Sequence, residues 1–468
     1  MGRSIHADEA IQNYIEELIK SGQWNVGLIL GQVTKQRDYV LRLSRTPDPV
    51  EDEVSEEEEL PAELLEELVH KKKVKKKGPK KPKSLDDVNE GWVATHAKQV
   101  LRMLPGGLDV IGVFILSPPN ISQNVATKLR QILYQVHSSL NQYQILNRDN
   151  DITDRITIHI DSLTRKITCR TYDVQDNRST GHPAEWKYQA INDKWIQLNT
   201  SAFLDMKIAV PSNKKSSPLI KQIQIGLNPF FKSLTSSIGI INGAIREASE
   251  PLDTSSGKKS RGRDKGLVVP QSYNIEILTK QADNKVSAPI LSKVSSLMVL
   301  RGQIVSRAFI QGKPTVGDAI HAVKVDLARS LLSRCELLCE DLAITEQDKA
   351  VELYNTPVRV FVIVPDSSVE ICDYIFQDER TDEVIDRIKE LLDVNLTEEN
   401  LELDLERPAA EVDWISTASE HEIPTDMEVD TETTNSNSNF VTYIGLAASG
   451  IVAGLAMVYN FYIAGGDS

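Results

Sequence analysis

Cysteine and histidine are scarce in this 468-residue chain, and their placement excludes more chemistry than their number does. The four cysteines, Cys169, Cys335, Cys339 and Cys372, form no Cys-x-x-Cys pair and no disulfide framework, which is the usage of a reducing compartment. The eight histidines include no His-x-His. A metal-dependent isopeptidase, which holds zinc with three protein ligands and leaves one position open, therefore has no visible ligand set. Neither a phosphate-cradling GxxxxGK[ST] loop nor a GxSxG elbow occurs. The nearest approach to a catalytic pair, His159-Ile160-Asp161, sits in an alternating strand pattern and reads as polar-face residues. Cys335 and Cys339 lie four apart in a helical pattern and offer half a metal site that nothing completes, so they read as structural thiols. The expectation is a non-enzyme without metal or cofactor.

Two kinds of membrane signal are also missing at the start. The opening MGRSIHADEA carries no apolar run to direct secretion, and His6 occupies the place where a myristoylation signal needs Ser or Thr. A basic excess is absent too. Of the formal net charge of −14, the stretch Thr397–Asn439 accounts for −12, with thirteen Asp or Glu against Arg407 alone. The rest is close to neutral and shows no nucleic-acid footprint. Between Glu51 and Glu67 stand ten acidic residues, followed by nine lysines from Lys71 to Lys83. Blocks of like charge bury little apolar surface, so 51–83 is expected to be a disordered insertion, with contact to a membrane surface as its second reading.

What the chain does have is one long uncharged stretch, Phe440 to Ile463. Twenty-four residues rising ~1.5 Å each make roughly 36 Å of helix, enough to cross a hydrocarbon core of about 30 Å. Tyr443 near one end and Tyr459 and Tyr462 near the other suit the two water interfaces. Gly445, Gly450 and Gly454 fall in small-xxx-small rows that allow close helix packing. The competing reading is a buried core helix, which seldom runs so far without a polar face. So placed, the segment is expected to act as a tail anchor, with the body in the cytosol, the C-terminus lumenal and residues 396–439 as a flexible acidic tether.

The body alternates helical and strand patterns. Ile11, Tyr14, Ile15, Leu18 and Ile19 share a helical face; WNVGLILG (Trp24–Gly31) and DYVLRL (Asp38–Leu43) read as paired strands. A helix through His96 ends at Leu104-Pro105-Gly106-Gly107, and a buried strand follows to Leu116. Residues 1–211 are taken as a first α+β lobe and 212–270 as an irregular connection, with a helical break at Asn228-Pro229. Residues 271–395 form a second α+β lobe, with a long helix from Thr315 to Asp341 and the apolar strand Val358–Val364.

The segment HAKQVLRMLPGGLDVIGVFIL (His96–Leu116), the opening helix, GLILGQ and CDYIFQDE (Cys372–Glu379) together resemble the ODR-four-like family, tail-anchored factors linked to localisation of odorant and other G-protein-coupled receptors. The resemblance implies an endoplasmic-reticulum membrane protein that assists folding, maturation or trafficking of multispanning receptors. It also implies a non-catalytic MPN-like (isopeptidase-like) first lobe and a partnership with the Ufm-one-specific cysteine protease of the ufmylation system. His96, Leu104, Pro105, Gly106, Gly107, Asp373, Tyr374 and Phe376 are the expected family motif and partner surface. A cryptic peptidase on the same lobe, and a receptor chaperone with no protease link, remain as alternatives. A cytosolic body predicts that the sequons at Asn120, Asn177, Asn199 and Asn395 stay unglycosylated in secretory-competent cells, read as no mobility shift on endoglycosidase treatment.

Overall fold

In chain order the first part of the molecule comprises β1 (Ser4–Ala7), α1 (Ala10–Lys20), β2 (Asn25–Val33), β3 (Asp38–Arg45), α2 (Glu90–Met103), β4 (Asp109–Ser117) and α3 (Ser122–Leu140). There follow β5 (Asp154–Asp161), β6 (Ile167–Asp173), β7 (His182–Pro183) and β8 (Glu185–Tyr188). The computed structural model describes residues 3–22, 24–49, 85–118, 122–146, 148, 151–191, 194–211, 217–252, 271–279, 294–344, 356–365 and 367–406. These strands form one eight-stranded sheet in the order β7-β6-β5-β4-β2-β3-β1-β8.

The continuous apolar runs of β2 and β4 explain their place at the middle. Successive side chains point to opposite faces, so an unbroken run is stable only where both faces are covered. Val26, Leu28 and Leu30 of β2 and Val113 and Ile115 of β4 enter one core with α2 and α3. Ile29, Phe114 and Leu116 enter the other, which α1 closes with Ile11, Ile15 and Leu18. β4 and β5 run parallel, which requires a crossover, and α3 supplies it.

The second part is built on a long antiparallel ribbon. β9 (Ile196–Pro211) pairs along its length with β12 (Val294–Ile310), and β10 (Ile238–Ile241) and β11 (Ser272–Leu278) extend the sheet as β10-β11-β9-β12. α4 (Leu219–Ser236) and α5 (Val316–Ile344) bury an apolar face against it, including Ile223, Leu227, Phe231, Val323 and Leu331. α4 runs through the expected break: Pro229 lies inside the helix. A proline there forfeits one i→i−4 bond, and burial of Leu227, Phe231 and Leu234 around it holds the helix together.

The third part, β13 (Val358–Ile363), β14 (Glu370–Ile375), α6 (Thr381–Leu392) and β15 (Leu401–Glu402), makes a small sheet in the order β14-β13-β15. Val360, Val362, Ile371, Val384 and Ile388 belong to the same core as Val26 and Leu28. The division expected at residues 211 and 271 therefore does not match the packing: β9 shares its sheet with β12, and β13 to α6 complete the core begun by β2. The mixed α+β class stands.

The expected tether also begins later than 396. Leu401–Glu402 pairs with β13, and Glu406, 5% exposed, meets Arg334 of α5 at 2.6 Å through both carboxylate oxygens. Backbone N–H groups of Val305 and Arg359 donate to the same carboxylate. A buried carboxylate is tolerable when its acceptor positions are filled this completely. The charged segment 51–83, the rest of the expected tether beyond Glu406 and the expected anchor Phe440–Ile463 lie outside the described residues. Among the described residues no helix is long and apolar enough to cross a membrane. Breaking one partner of a buried pair costs about 3–5 kcal/mol. Glu406→Ala should thus lower the urea midpoint by that equivalent, and the paired replacement Arg334→Met with Glu406→Met should recover much of the loss.

Candidate functional site

The LPGG turn lies inside the molecule. α2 ends at Met103, Leu104 caps it in an extended conformation, and Gly107 turns the chain into β4 at φ +81, a left-handed value that suits glycine. Gly106 presses on α5 and β12: a Cβ there would meet the Ala322 carbonyl oxygen at 2.3 Å. Its N–H donates to Asp326 Oδ1 at 2.8 Å, and its carbonyl accepts from the Phe309 N–H at 2.8 Å. Asp326 also accepts from Ser306 Oγ at 2.7 Å and from Arg359 Nη1 and Nη2 at 2.6 and 2.9 Å. Arg359 Nη2 continues to Cys372 Sγ at 3.1 Å. Burial works against the Arg359 charge, and the Asp326 carboxylate outweighs it, holding the guanidinium well above its ordinary value.

Asp373, Tyr374 and His96 are interior as well. Asp373 and Tyr374 are 7% and 4% exposed; Arg387 Nε donates to Asp373 Oδ2 at 2.9 Å, and the Arg334 guanidinium lies 5.3 Å from the Tyr374 ring centroid. Half-buried Phe376 packs on the core between the β9–β12 ribbon and α4 and α5. His96, 2% exposed, contacts Leu391 O through Nε2 at 2.8 Å and Thr46 Oγ1 through Nδ1 at 3.2 Å. A carbonyl can only accept, so the proton belongs on Nε2 and the Thr46 hydroxyl donates to Nδ1. Most of the expected motif is thus a joint between parts of the fold. A partner surface, as expected from the sequence, needs exposure that His96, Leu104, Pro105, Gly106, Asp373 and Tyr374 lack, whereas Gly107 and Phe376 are half-buried.

Nucleophilic chemistry has little to work with. Burial pushes the thiols of Cys169, Cys335 and Cys339 up to about 12 and that of Cys372 to about 11, far from the thiolate a nucleophile requires. The sequence did not pair Ser117 with His159, yet Ser117 Oγ stands 3.0 Å from His159 Nε2 because parallel β4 and β5 end side by side. Asp161 does not complete a triad. Its Oδ1 accepts from the Leu163 and Thr164 N–H groups at 2.9 Å each, capping the β5–β6 turn.

One concave feature adjoins the LPGG turn at Gly107 and Leu108, and no local motif announces it. A cleft of about 810 Å3 opens between the β2–β3 turn, the start of β4, the segment after α3 and the β12–α5 junction. That volume is in the range of ligand sites. Exposed Lys35, Arg37, Lys194 and Lys313 stand at its rim, with Arg155 and Arg329 deeper. Of the lining carboxylates, Asp151 and Asp318 are both engaged by Arg148, at 3.3 and 3.0 Å, and Asp109 is the third. Burial pushes His321 down to about 4 and also lowers His137, so the positive charge at neutral pH comes from Lys and Arg.

The sequence model of the ODR4-like family, "Odorant response abnormal 4-like", matches residues 27–403. The chain belongs to the ODR4-like family. "Protein odr-4 homolog" of Homo sapiens is 34% identical over 415 residues, covering 86% of each chain. "Odorant response abnormal protein 4" of Caenorhabditis elegans is 23% identical over 330 residues, 68% of this chain and 66% of that one. Among solved structures, "Crystal structure of UfSP from C.elegans" aligns with a TM-score of 0.39 at 9% identity, covering 84% of this chain and 57% of that chain, and a likeness of that degree carries no argument. Both blocks that suggested the ODR4-like family, His96–Leu116 and Cys372–Glu379, fall within the matched residues.

Gly106→Ala forces a side chain against backbone and should cost about 2–4 kcal/mol, read from chemical denaturation. Burial lowers His96 to about 4, so the unfolded chain binds the extra proton between that value and about 6.5. Stability from this group is full above pH ~6.5 and is lost as pH falls toward 4. His96→Asn should flatten the decline in unfolding free energy between pH 7 and 5.

Proposed function

We propose that this ODR4-like protein is a non-enzymatic adaptor tethered to the endoplasmic-reticulum membrane, assisting folding, maturation or trafficking of multispanning receptors. The observation that carries the reading is membership across residues 27–403 of a family named for odorant response. The uncharged stretch Phe440–Ile463 supports the membrane attachment, and the raised thiols support a non-catalytic body. In its finer form the proposal takes the lobe around the eight-stranded sheet as MPN-like. The Ufm-one-specific cysteine protease would then be the cytosolic partner brought to the membrane. Attachment raises the effective concentration of a bound partner near membrane clients without new contacts.

Affinity capture of the tagged chain from detergent-solubilised membranes tests this. The expected result is a stoichiometric cysteine protease of the ufmylation system that sediments with membranes at neutral pH and is lost from them when 440–463 is deleted, while this chain itself withstands alkaline carbonate washing. Receptors without protease would favour the plain chaperone instead. The Ser117–His159 contact gives the hydrolase alternative its one specific observation. The adaptor reading expects a fluorophosphonate probe to leave the purified chain unlabelled. Labelling abolished by Ser117→Ala would overturn the non-enzymatic assignment.

A further inference from the structure

The cleft between the β2–β3 turn and the β12–α5 junction has features that neither the core nor the family joint requires. Lys35, Arg37, Lys194 and Lys313 make no ion pair among the described residues, although all four line one concavity. Like charges gathered in a cleft repel one another and focus the field there, which favours an anionic occupant. The wall below them holds two polar groups with unmet bonding. Gln311, 3% exposed, has its backbone N–H donated to Gln32 Oε1 and its Nε2 donated to Ile191 O, each at 2.7 Å. The carboxamide is pinned in this way, and its Oε1 has no hydrogen-bond partner. Arg329, 7% exposed, donates through Nη1 to Leu108 O at 3.0 Å, and its Nε–H has no partner. A buried polar atom without a partner costs about 1–3 kcal/mol. Both residues line the cleft, so an occupant that displaces its wall slightly has one acceptor and one donor to satisfy.

We propose that this cleft binds an acidic peptide segment. The chemistry selects it. Carboxylate side chains answer the rim lysines and Arg37, and a peptide carbonyl or carboxylate accepts from Arg329. A peptide N–H supplies the donor that Gln311 Oε1 lacks. Inorganic phosphate and free carboxylates have no N–H to give. A nucleic-acid strand would want a run of aromatic platforms, and the cleft offers Tyr39 and Tyr143. The site is independent of membrane attachment and of the protease partnership, so it stands or falls without them.

Isothermal titration calorimetry on the purified full-length chain in non-ionic detergent tests the assignment, with an acetylated, amidated decapeptide of alternating Glu and Gly as the probe. Expected is saturable binding that weakens steeply with added salt, since the contacts are largely ionic. A decapeptide of alternating Gln and Gly should bind at least tenfold more weakly. The double substitution Arg37→Ala with Lys313→Ala should weaken binding about tenfold at an unchanged melting temperature, because both side chains are exposed. Gln311→Leu, checked for folding by the same melting measurement, should weaken it about fivefold. The proposal is overturned if the two peptides bind alike, if the rim substitutions leave the affinity unchanged, or if inorganic phosphate or an oligothymidine strand displaces the acidic peptide more effectively than the peptide itself. A folded Gln311→Leu chain that binds as tightly as the native one also overturns it.

Discussion

Asp326 and Arg359, each with a side chain only 1% exposed, hold four separated stretches of the chain to one point. Taking both charges out of water is costly, and their attraction offsets that cost only when the remaining hydrogen-bonding capacity is met. Here the two Asp326 oxygens receive the guanidinium, the Gly106 N–H and the Ser306 hydroxyl, the Arg359 plane rests 4.8 Å from the Phe361 ring centroid, and the buried Arg359 Nε–H is left without a partner. The turn after α2, the ribbon strand β12, the helix α5 and the strand β13 are fixed relative to one another by this arrangement. Gly106 is glycine because the Ala322 carbonyl and the Asp326 Cβ occupy the space a side chain would need.

A second buried pair, Arg334 with Glu406, extends the same logic toward the C-terminal side. Arg307 adds a bridge from β12 to Glu370 and Glu402, so the third sheet is fastened to the ribbon at several points. The apolar core depends on this fastening. Val360, Val362 and Ile388 complete the cluster that Val26, Leu28 and Val113 begin, so the first core closes only when stretches far apart in sequence meet. His96, Gly106 and Asp373, which fall in the blocks that suggested the family, sit at these joints, and Gly107 and Leu108 of the same turn also line the cation-lined cleft.

Much of the element order was legible. The unbroken apolar runs of β2 and β4, the single apolar face of α1 and the long amphipathic α5 follow from periodicity, because burial on two faces or on one leaves a pattern in sequence. Pro229 misled because the local cost of proline in a helix was weighed without the burial of Leu227, Phe231 and Leu234. The first residues of the acidic stretch misled in the same way. Glu402 and Glu406 look like their solvated neighbours, and only the positions of Arg307 and Arg334 make them braces.

By itself the sequence determined the mixed α+β class, the lack of a recognisable metal or nucleophile motif, and the family, because each depends on residue type, spacing or a contiguous block. Tertiary structure alone decided that β9 and β12 share one sheet, that the LPGG turn is a joint between parts of the fold, that Ser117 meets His159, and that cations from the β2–β3 turn, residue 194 and the β12–α5 junction line one cleft. The physical reason is common to all four. Hydrophobic periodicity is a local signal set by the geometry of one helix or strand, whereas ion pairs and concave surfaces join residues that chain topology brings together from long sequence distances, and no local pattern records them.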